Sequence, residues 1–379
     1  MVRDLQVWAE IDLAVYRNNI IELEKITAEG TRFMAVVKAD GYGHGAVEVS
    51  RAALEAGAAC LGVARLEEAL QLRDAGIEAS ILIFGYTSPS MVQALIEHDL
   101  TQTVFSPSMA TALSRRCGDI ARSLRTHIKI DTGMGRLGLL ATASPLERRV
   151  EEVQSIAQLA GLEIEGVFTH FATADSADQG YTETQLRRFQ DLVQVLDELG
   201  IQIPVKHAAN SAALMSVPSS HFDMVRPGIA TYGLQPSSEW QRDDLDLQPV
   251  LQWKARIIHL KQVPTGFGVS YGITYRTSEP TTLATVAVGY ADGLNTALSS
   301  RGEMLLRGQR VPIVGRICMD LTLLDVGDVP GASVGDEVVI LGRQGDLLLT
   351  AESMATTLDT INYEIVTSIT ARVPRIYSS

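Results

Sequence analysis

Short apolar runs alternate with helical patterns over residues 31–233 of the chain. Several runs are apolar on successive residues, which is typical of parallel strands that are buried on both faces. Between the runs, one apolar stripe predicts a helix over residues 186–199 that ends at Gly200, and a similar stripe covers residues 66–75. The strands that this pattern predicts are Arg32–Val37, Cys60–Ala64, Ser80–Phe84, Gln102–Phe105, Thr126–Ile130, Gly166–Thr169, Val205–His207 and Met224–Val225.

The number of strand–helix units favours one topology. About eight units in roughly 200 residues are typical of a closed (β/α)8 barrel of the TIM type. A doubly wound open sheet is the competing topology, because it is built from the same alternating units. The sequence therefore predicts an α/β fold whose N-terminal part is a barrel.

The pattern changes after about residue 238. Residues 237–248 are polar and acidic, as expected of a linker. Beyond them, Val- and Leu-rich runs with turn signals predict a mostly β domain, with hairpins over residues 304–314 and 338–349 and one helix near residues 351–360. The predicted domains are a barrel over residues 10–238 and a β-rich C-terminal domain over residues 239–379, which residues 1–9 are expected to join.

Composition and charge argue against several classes of function. Hydrophobic residues make up 46% of the 379 residues and charged residues 20%, as in an ordinary folded enzyme. The net charge of -13 repels nucleic-acid phosphates, and no apolar run reaches the ~20 residues that span a bilayer. Cys60, Cys117 and Cys318 fit neither a disulfide framework nor a metal site, and the N-terminal segment lacks an apolar secretion signal. We therefore expect a cytoplasmic protein with no metal and no nucleic-acid or membrane partner.

Unusual polar residues repeatedly follow the predicted barrel strands. In such barrels the functional residues lie at the carboxyl ends of the strands and in the loops after them. A single lysine or histidine there is usually a solvated strand end or a structural group, but unrelated structural residues have no reason to cluster on one rim. The candidates are Lys38 after the first strand, Lys129 and Arg136 beside the loop 131–135, His170 after the sixth strand, Asn210 and Ser211 after the seventh, and Arg226 after the eighth.

Short motifs in both halves of the chain resemble those of the alanine racemase family, in the family's order and over essentially the whole chain. The segment Val37–Gly45 resembles the one that carries the cofactor lysine in that family. The resemblance implies a (β/α)8 barrel followed by a β domain, with pyridoxal 5'-phosphate as cofactor. The other matching segments are Asp131–Gly138, Thr169–Ala172, Ala209–Ala212, Arg226–Ile229, Ser270–Gly272, Gly289–Gly293, Ile317–Asp320 and Ile361–Glu364.

The resemblance implies a racemisation with two bases. Such a reaction removes a proton next to a carboxylate and returns one on the opposite face, while a pyridoxal cofactor stabilises the negative charge. Lys38 resembles the cofactor lysine and the base for the D-enantiomer, and Tyr271 resembles the base for the L-enantiomer. His170 and Arg226 resemble the hydrogen-bonded chain that adjusts this tyrosine. Arg226 also resembles the residue that faces the pyridine nitrogen, where a permanently protonated arginine keeps the ring neutral and limits side reactions.

The remaining candidates take their roles from the same resemblance. Arg136 resembles the contact to the cofactor's phenolic oxygen and the substrate carboxylate, and Lys129 resembles a lysine that is often carbamylated to brace this arginine. Met319 resembles a substrate contact that, like Tyr271, comes from the other subunit, which implies a head-to-tail homodimer with shared active sites. The other residues implied to bind the cofactor, mostly around its phosphate, are Tyr42, Asn210, Ser211, Gly228, Ile229 and Tyr363.

Other functions stay open at this point. The expected reaction interconverts L- and D-alanine and supplies D-alanine for peptidoglycan. Because one extra small group changes discrimination by only ~1–3 kcal/mol, serine or a broader range of amino acids is an alternative. A barrel-type pyridoxal-phosphate decarboxylase is a more remote alternative, since such enzymes place an acidic residue where this chain has Arg226. A non-enzymatic pyridoxal-phosphate carrier has a single barrel, without a second domain like the one that holds Tyr271, Met319 and Tyr363.

Overall fold

The computed structural model describes residues 4–141, 146–237 and 244–379. The predicted boundary between the domains, at residues 238 and 239, lies outside these ranges. Strand β1 (Val7–Asp12) leads directly into helix α1 (Leu13–Lys25), whose first turn is capped by the Asp12 carboxylate, which accepts a hydrogen bond from the N–H of Val15. Among the described residues, no helix is both long enough and apolar enough to cross a bilayer.

The N-terminal half has the predicted alternation of strands. Its strands are β2 (Arg32–Val36), β3 (Cys60–Val63), β4 (Ile81–Ile83), β5 (Leu100–Val104), β6 (Leu124–Asp131), β7 (Leu139–Leu140), β8 (Leu162–Phe168), β9 (Val205–His207) and β10 (Met224–Val225). Apart from the short β7, which pairs only with β6, they pair in parallel as a ring in the order β2-β3-β4-β5-β6-β8-β9-β10, and β10 pairs back onto β2. The predicted barrel is therefore confirmed and the doubly wound alternative is wrong, because an open sheet has no closing pair.

Helices connect the barrel strands and cover the outside of the ring. The helix predicted over residues 186–199 begins earlier, at Gly180. The prediction missed its first turns because the side chains buried there, Thr182 and Gln185, are polar and an apolar pattern does not detect them. The segment α2 (Lys38–Tyr42) is a left-handed turn and not a regular helix. After α1, the regular helices described in this half are α3 (Ala46–Glu55), α4 (Leu66–Asp74), α5 (Val92–Glu97), α6 (Pro107–Ile120), α7 (Leu146–Ala157), α8 (Gly180–Glu198) and α9 (Ser211–Ser216).

The C-terminal half is mostly β-sheet, as the sequence predicts. Its strands are β11 (Leu251–Val263), β12 (Gly268–Val269), β13 (Tyr275–Arg276), β14 (Thr281–Val286), β15 (Glu303–Leu306), β16 (Gln309–Pro312), β17 (Thr322–Asp325), β18 (Glu337–Gln344), β19 (Leu347–Leu349) and β20 (Arg375–Ser378). The main sheet has the order β16-β15-β18-β11-β1-β20, with β14, β17 and β19 attached to this path. Both predicted hairpins are present, as β15–β16 and β18–β19. Strand β1 lies in this sheet, antiparallel to β11 and parallel to β20.

The same half contains a helix that the sequence pattern does not predict. The expected helix is α10 (Ala351–Leu358), and a second one, α11 (Asn362–Ser368), follows it. The prediction of one helix was wrong because seven residues make less than two turns, which is too short for an amphipathic period to appear. Helix α11 packs against the segment after β2: a β-carbon on Gly43 would fall 2.1 Å from the carbonyl oxygen of Val366.

A buried asparagine on α1 connects the barrel to the chain that leads into the second domain. The Asn19 amide donates to the carbonyl oxygens of Thr231, at 3.2 Å, and Gln248, at 2.8 Å. Its side-chain oxygen accepts from the N–H of Gln248 at 2.9 Å. Because the side chain is fully buried, these backbone groups have no access to water in its place.

Replacing Asn19 with alanine is expected to lower the free energy of unfolding by about 2–4 kcal/mol, because it leaves buried backbone groups without partners. Urea unfolding of the ligand-free protein, followed by circular dichroism, measures the change. Asn18→Ala is the matched control, since Asn18 is the preceding residue of the same helix and is exposed. Equal stability of the two variants would contradict the assigned role of Asn19.

Candidate active site

A cavity of about 570 Å³ opens at the carboxyl ends of the barrel strands. Residues that directly follow β2, β8, β9 and β10 line it, together with side chains from α11 and the segment before it. Its size is within the range of small-molecule sites. The residues singled out in the sequence that line this cavity are Lys38, Tyr42, Lys129, Arg136, His170, Asn210, Ser211, Arg226, Gly228, Ile229 and Tyr363.

Lys38 stands at the start of a left-handed turn. The four residues after it, 39–42, have φ values between +52° and +61°, a region that non-glycine residues rarely occupy. Three hydrogen bonds hold the turn: Gly41 N–H to the carbonyl oxygen of Val37 at 2.9 Å, Ala39 N–H to the Glu68 carboxylate at 2.7 Å, and Ala46 N–H to the Asp40 carboxylate at 2.9 Å. The turn thus fixes the backbone at the point where Lys38 enters the cavity.

The surroundings of Lys38 favour a neutral amine. Burial lowers the pKa of Lys38, and the Arg136 guanidinium lowers it further, while the Glu68 carboxylate acts in the opposite direction. The Lys38 Nζ lies 5.8 Å from the centre of the Tyr42 ring. A neutral amine is both the nucleophilic form and the basic form of lysine. Lys38 is therefore suited to bind a carbonyl compound and to accept a proton.

Lys129 and Arg136 lie on either side of a loop that one carboxylate organises. Asp131 accepts the N–H groups of Gly133, Gly135 and Arg136 at 2.9–3.1 Å. Burial lowers the pKa of Lys129 to about 8, and the guanidinium of Arg136 contributes to the same shift. An amine with this pKa is mostly protonated at neutral pH, but a larger fraction of it is neutral than in an ordinary lysine.

Arg226 is held rigidly at the base of the cavity. Its guanidinium donates to His207 Nδ1 at 2.8 Å and to the carbonyl oxygens of Thr169, at 2.8 Å, and Ala208, at 3.0 Å. Burial lowers the pKa of Arg226 to about 9, which still leaves it protonated at neutral pH. The same guanidinium lies 5.2 Å from the centre of the Phe168 ring. A fixed positive charge therefore faces whatever occupies the floor of the cavity.

His207 is a buried residue of this network that was not among the candidates predicted from the sequence. It is the last residue of β9, so the strand-end rule that points to Lys38 applies to it as well. His170, which is among those candidates, lies two residues beyond β8, and its pKa is held well below the ordinary value by burial and by the nearby cations, of which Arg226 contributes most. Both histidines are consequently neutral and cannot compete with Arg226 as cations.

Hydroxyl groups gather at another side of the cavity. The Ser211 Oγ accepts from the N–H of Gly228 at 2.9 Å and from the N–H of Ala230 at 3.3 Å. Asn210 caps α9 by accepting from Ala213 N–H at 2.9 Å. A β-carbon on Gly228 would fall 2.3 Å from the Tyr42 hydroxyl, so only glycine allows this close approach. The ring of Tyr363, on α11, lies 6.2 Å from the Tyr42 ring, and its hydroxyl adds to the group.

The structure does not bring Tyr271 and Met319 to this cavity within one chain. Tyr271 is 71% exposed and Met319 is 52% exposed, on adjoining segments of the C-terminal half. The hydroxyl of Ser270 donates to the Arg316 carbonyl oxygen at 2.6 Å, which ties these segments together. Tyr290 and Leu321 are further exposed apolar side chains of the same region. Two of the residues selected from the sequence thus lie on an exposed surface that carries several apolar side chains.

Comparisons with known proteins agree over both halves of the chain. The family model for the alanine racemase N-terminal domain matches residues 11–236, and the model for the C-terminal domain matches residues 250–377. A curated alanine racemase from Desulfosudis oleivorans is 52% identical over 99% of this chain and 97% of its own. The solved alanine racemase of Clostridium difficile 630 superposes with a TM-score of 0.94 at 38% identity, covering 99% of this chain and 96% of its own.

A second solved structure, alanine racemase from Bacillus anthracis with bound L-Ala-P, has a TM-score of 0.92 at 40% identity and covers 99% of this chain and 95% of its own. These matches cover both the barrel and the C-terminal sheet. The chain belongs to the alanine racemase family.

Proposed function

We propose that this protein interconverts L-alanine and D-alanine, with pyridoxal 5'-phosphate bound to Lys38. The observation that carries the proposal is a partly buried lysine with a lowered pKa at the mouth of the barrel, facing a cavity lined with cations. Family membership supports the reaction, and the Bacillus anthracis relative holds L-Ala-P in its structure. The fold of the two halves is that of enzymes named for this activity.

The chemistry of the cavity fits an anionic cofactor with an aldehyde. Among the described lining residues, Lys38, Lys129, Arg136 and Arg226 are cationic or partly so, and Asp175 is the only carboxylate. Lys38 would bind the aldehyde carbon. The hydroxyls of Tyr42, Ser211 and Tyr363 would hold the phosphate beside Gly228, where no β-carbon blocks its approach. A rigid Arg226 would face the ring nitrogen.

When bound, the cofactor supplies the electron acceptor that makes the substrate's α-hydrogen acidic. Lys38 accepts or returns a proton at Nζ on one face, which requires the neutral amine that burial and Arg136 favour. Because Arg226 keeps its proton, it would leave the ring nitrogen of the cofactor unprotonated, which would weaken the electron acceptor and limit side reactions. Arg136 orients the substrate carboxylate, and Lys129 braces the loop that carries Arg136.

The second base comes from a second copy of the chain. Tyr271 is the proposed base for the L-enantiomer, with Met319 beside the substrate, and both are exposed in one chain. Exposed apolar surface of this kind marks a protein interface. A head-to-tail homodimer would bring this surface over the barrel mouth of the partner and exclude water from the cavity. His170 would then adjust Tyr271 from the barrel side.

The proposed product, D-alanine, would be supplied for peptidoglycan, and we expect the enzyme to work in the cytoplasm. Cys60, Cys117 and Cys318 are free thiols, which a reducing compartment preserves.

Tyr363, together with Met319 of the partner subunit, would crowd the side-chain end of the substrate and favour a methyl group. Serine is larger by one hydroxyl, so we expect it to be a slower substrate.

Lys38→Ala is expected to lower D-alanine formation from L-alanine by at least ~10³-fold, because it removes both the cofactor attachment and one base. Enantiomer-resolved chromatography measures the product, with L-serine and L-histidine as further substrates. Borohydride reduction followed by mass spectrometry should place the cofactor on Lys38 in the unaltered protein. Lys25→Ala is the control, since that side chain is 60% exposed. Full activity of Lys38→Ala would contradict the proposal.

The pH dependence of cofactor attachment is expected to shift in opposite directions in two variants. The neutral amine reacts, so the rate rises as pH passes through the pKa of Lys38. Arg136→Gln removes a charge that lowers this pKa and moves the midpoint to higher pH, whereas Glu68→Gln removes a charge that raises it and moves the midpoint to lower pH. Stopped-flow absorbance of ligand-free protein mixed with pyridoxal phosphate gives both midpoints. Shifts in the same direction would contradict this account.

Mixing two inactive variants is expected to restore activity if each active site is shared. Lys38→Ala and Tyr271→Phe, reassorted into hybrid dimers, should recover about one quarter of wild-type specific activity, since half of the dimers are mixed and each of these has one intact site. The matched control mixes Lys38→Ala with Arg226→Ala, whose changes both lie in the barrel, and no recovery is expected. Absence of recovery in the first mixture would show that Tyr271 serves its own barrel or no barrel.

A further inference from the structure

A chain of hydrogen bonds runs through the barrel interior below Arg226. His127, on β6, and His207, at the end of β9, are joined through His127 Nδ1 and His207 Nε2 at 2.8 Å. The other ring nitrogen of His207, Nδ1, lies 2.8 Å from the Arg226 guanidinium. His127 and Arg226 are only 6% and 4% exposed, and His207 is fully buried, so water does not replace these bonds.

The donor character of Arg226 shows which nitrogen donates and which accepts in each of these hydrogen bonds. A guanidinium has only N–H donors, so His207 Nδ1 must accept. A neutral His207 then carries its proton on Nε2 and donates it to His127 Nδ1. Neutral His127 in turn carries its proton on Nε2. The pKa values support two neutral rings, since burial and the nearby arginines hold that of His207 well below its ordinary value and lower that of His127 to about 3.

Packing fixes both rings in place. A β-carbon on Gly166 would fall 2.5 Å from the His127 ring, so this position of β8 leaves the imidazole its space. His207 stacks on Phe168, with ring centres 4.7 Å apart and planes within 8°. Neither histidine can rotate to offer its other nitrogen without displacing these neighbours.

His127 reaches a second cavity at the opposite end of the barrel. This cavity, of about 290 Å³, lies at the amino ends of the strands, where Arg32, Arg125 and Glu165 also line it. The hydrogen-bonded chain therefore extends from the amino end of the barrel to the floor of the candidate active site. His127 lies at the end of these hydrogen bonds that is farther from the candidate active site, so a contact with substrate does not explain why it is buried there.

We infer that His127 is a positioning residue for Arg226: its Nδ1 accepts a hydrogen bond from the Nε2–H of His207 and so stabilises the tautomer whose Nδ1 accepts from the guanidinium. Without this acceptor, the Nε2–H of His207 is buried without a partner, so the tautomer with its proton on Nδ1, which turns a donor toward Arg226, becomes more populated. The guanidinium then moves away from its place below the cavity. The consequence for catalysis rests on the proposed function, in which Arg226 faces the cofactor ring.

The tautomers can be measured without cofactor or substrate. Ligand-free protein labelled with ¹⁵N-histidine should give imidazole shifts and two-bond couplings of the Nε2–H tautomer for both His127 and His207 at neutral pH. A proton on Nδ1 of His207 would overturn the inference, whether or not the protein racemises alanine. Failure of racemisation in the unaltered protein would instead count against the proposed function and leave the tautomer result standing.

Two substitutions separate positioning from simple packing. Asparagine places an amide oxygen close to the position of Nδ1, so His127→Asn should preserve the His207 tautomer and keep kcat within about threefold. His127→Leu cannot accept the proton and should lower kcat about tenfold or more with little change in KM. Thr101→Val is the matched control, because Thr101 is buried, lines the same cavity and contacts Glu165 instead of the histidines. Equal kcat values for the Asn and Leu variants would overturn the inference, as would an equal loss in Thr101→Val.

Discussion

The left-handed turn after β2 is the constraint on which the candidate site depends. Ala39, Asp40 and Tyr42 each occupy a backbone region that costs roughly 1–2 kcal/mol for a residue with a β-carbon. The Glu68 and Asp40 carboxylates and the packing of α11 against Gly43 offset this cost. The turn aims Lys38 into the cavity and places Tyr42 beside Gly228, so one strained segment positions both the proposed attachment point and part of the proposed phosphate site.

Desolvation and like charge act together in this cavity. Lys38, Lys129, Arg136 and Arg226 lie around one space, and burial lowers the pKa of both lysines and of Arg226. The Arg136 guanidinium also disfavours the charge of both lysines, so a larger fraction of each amine is neutral and able to accept a proton, while the guanidinium of Arg226 still keeps its proton. An anionic ligand would relieve this repulsion, so the charge of the cavity favours the binding of such a ligand.

Much of this architecture can be predicted from the sequence because it rests on local patterns. Runs such as Ile81–Ile83 are apolar because barrel strands are buried on both faces, and the ends of these runs identify the residues at the mouth. Contacts between distant segments leave no such trace: the space that Gly166 leaves for His127 is invisible in the order of residues. Helix α11 was missed because it is too short to show a period, and the partner of Tyr271 is not specified by any pattern within one chain.

The position of β1 in the C-terminal sheet constrains the order in which the chain can fold during synthesis. This strand is made before the barrel, yet its neighbours in the sheet are β11 and β20, with Ala9 opposite both Trp253 and Arg375. On the ribosome, β1 therefore stays unpaired while the barrel is synthesised, because its partners emerge only after the barrel strands. A nascent chain stalled before β20 would carry an unpaired strand edge in the C-terminal sheet, exposed to aggregation.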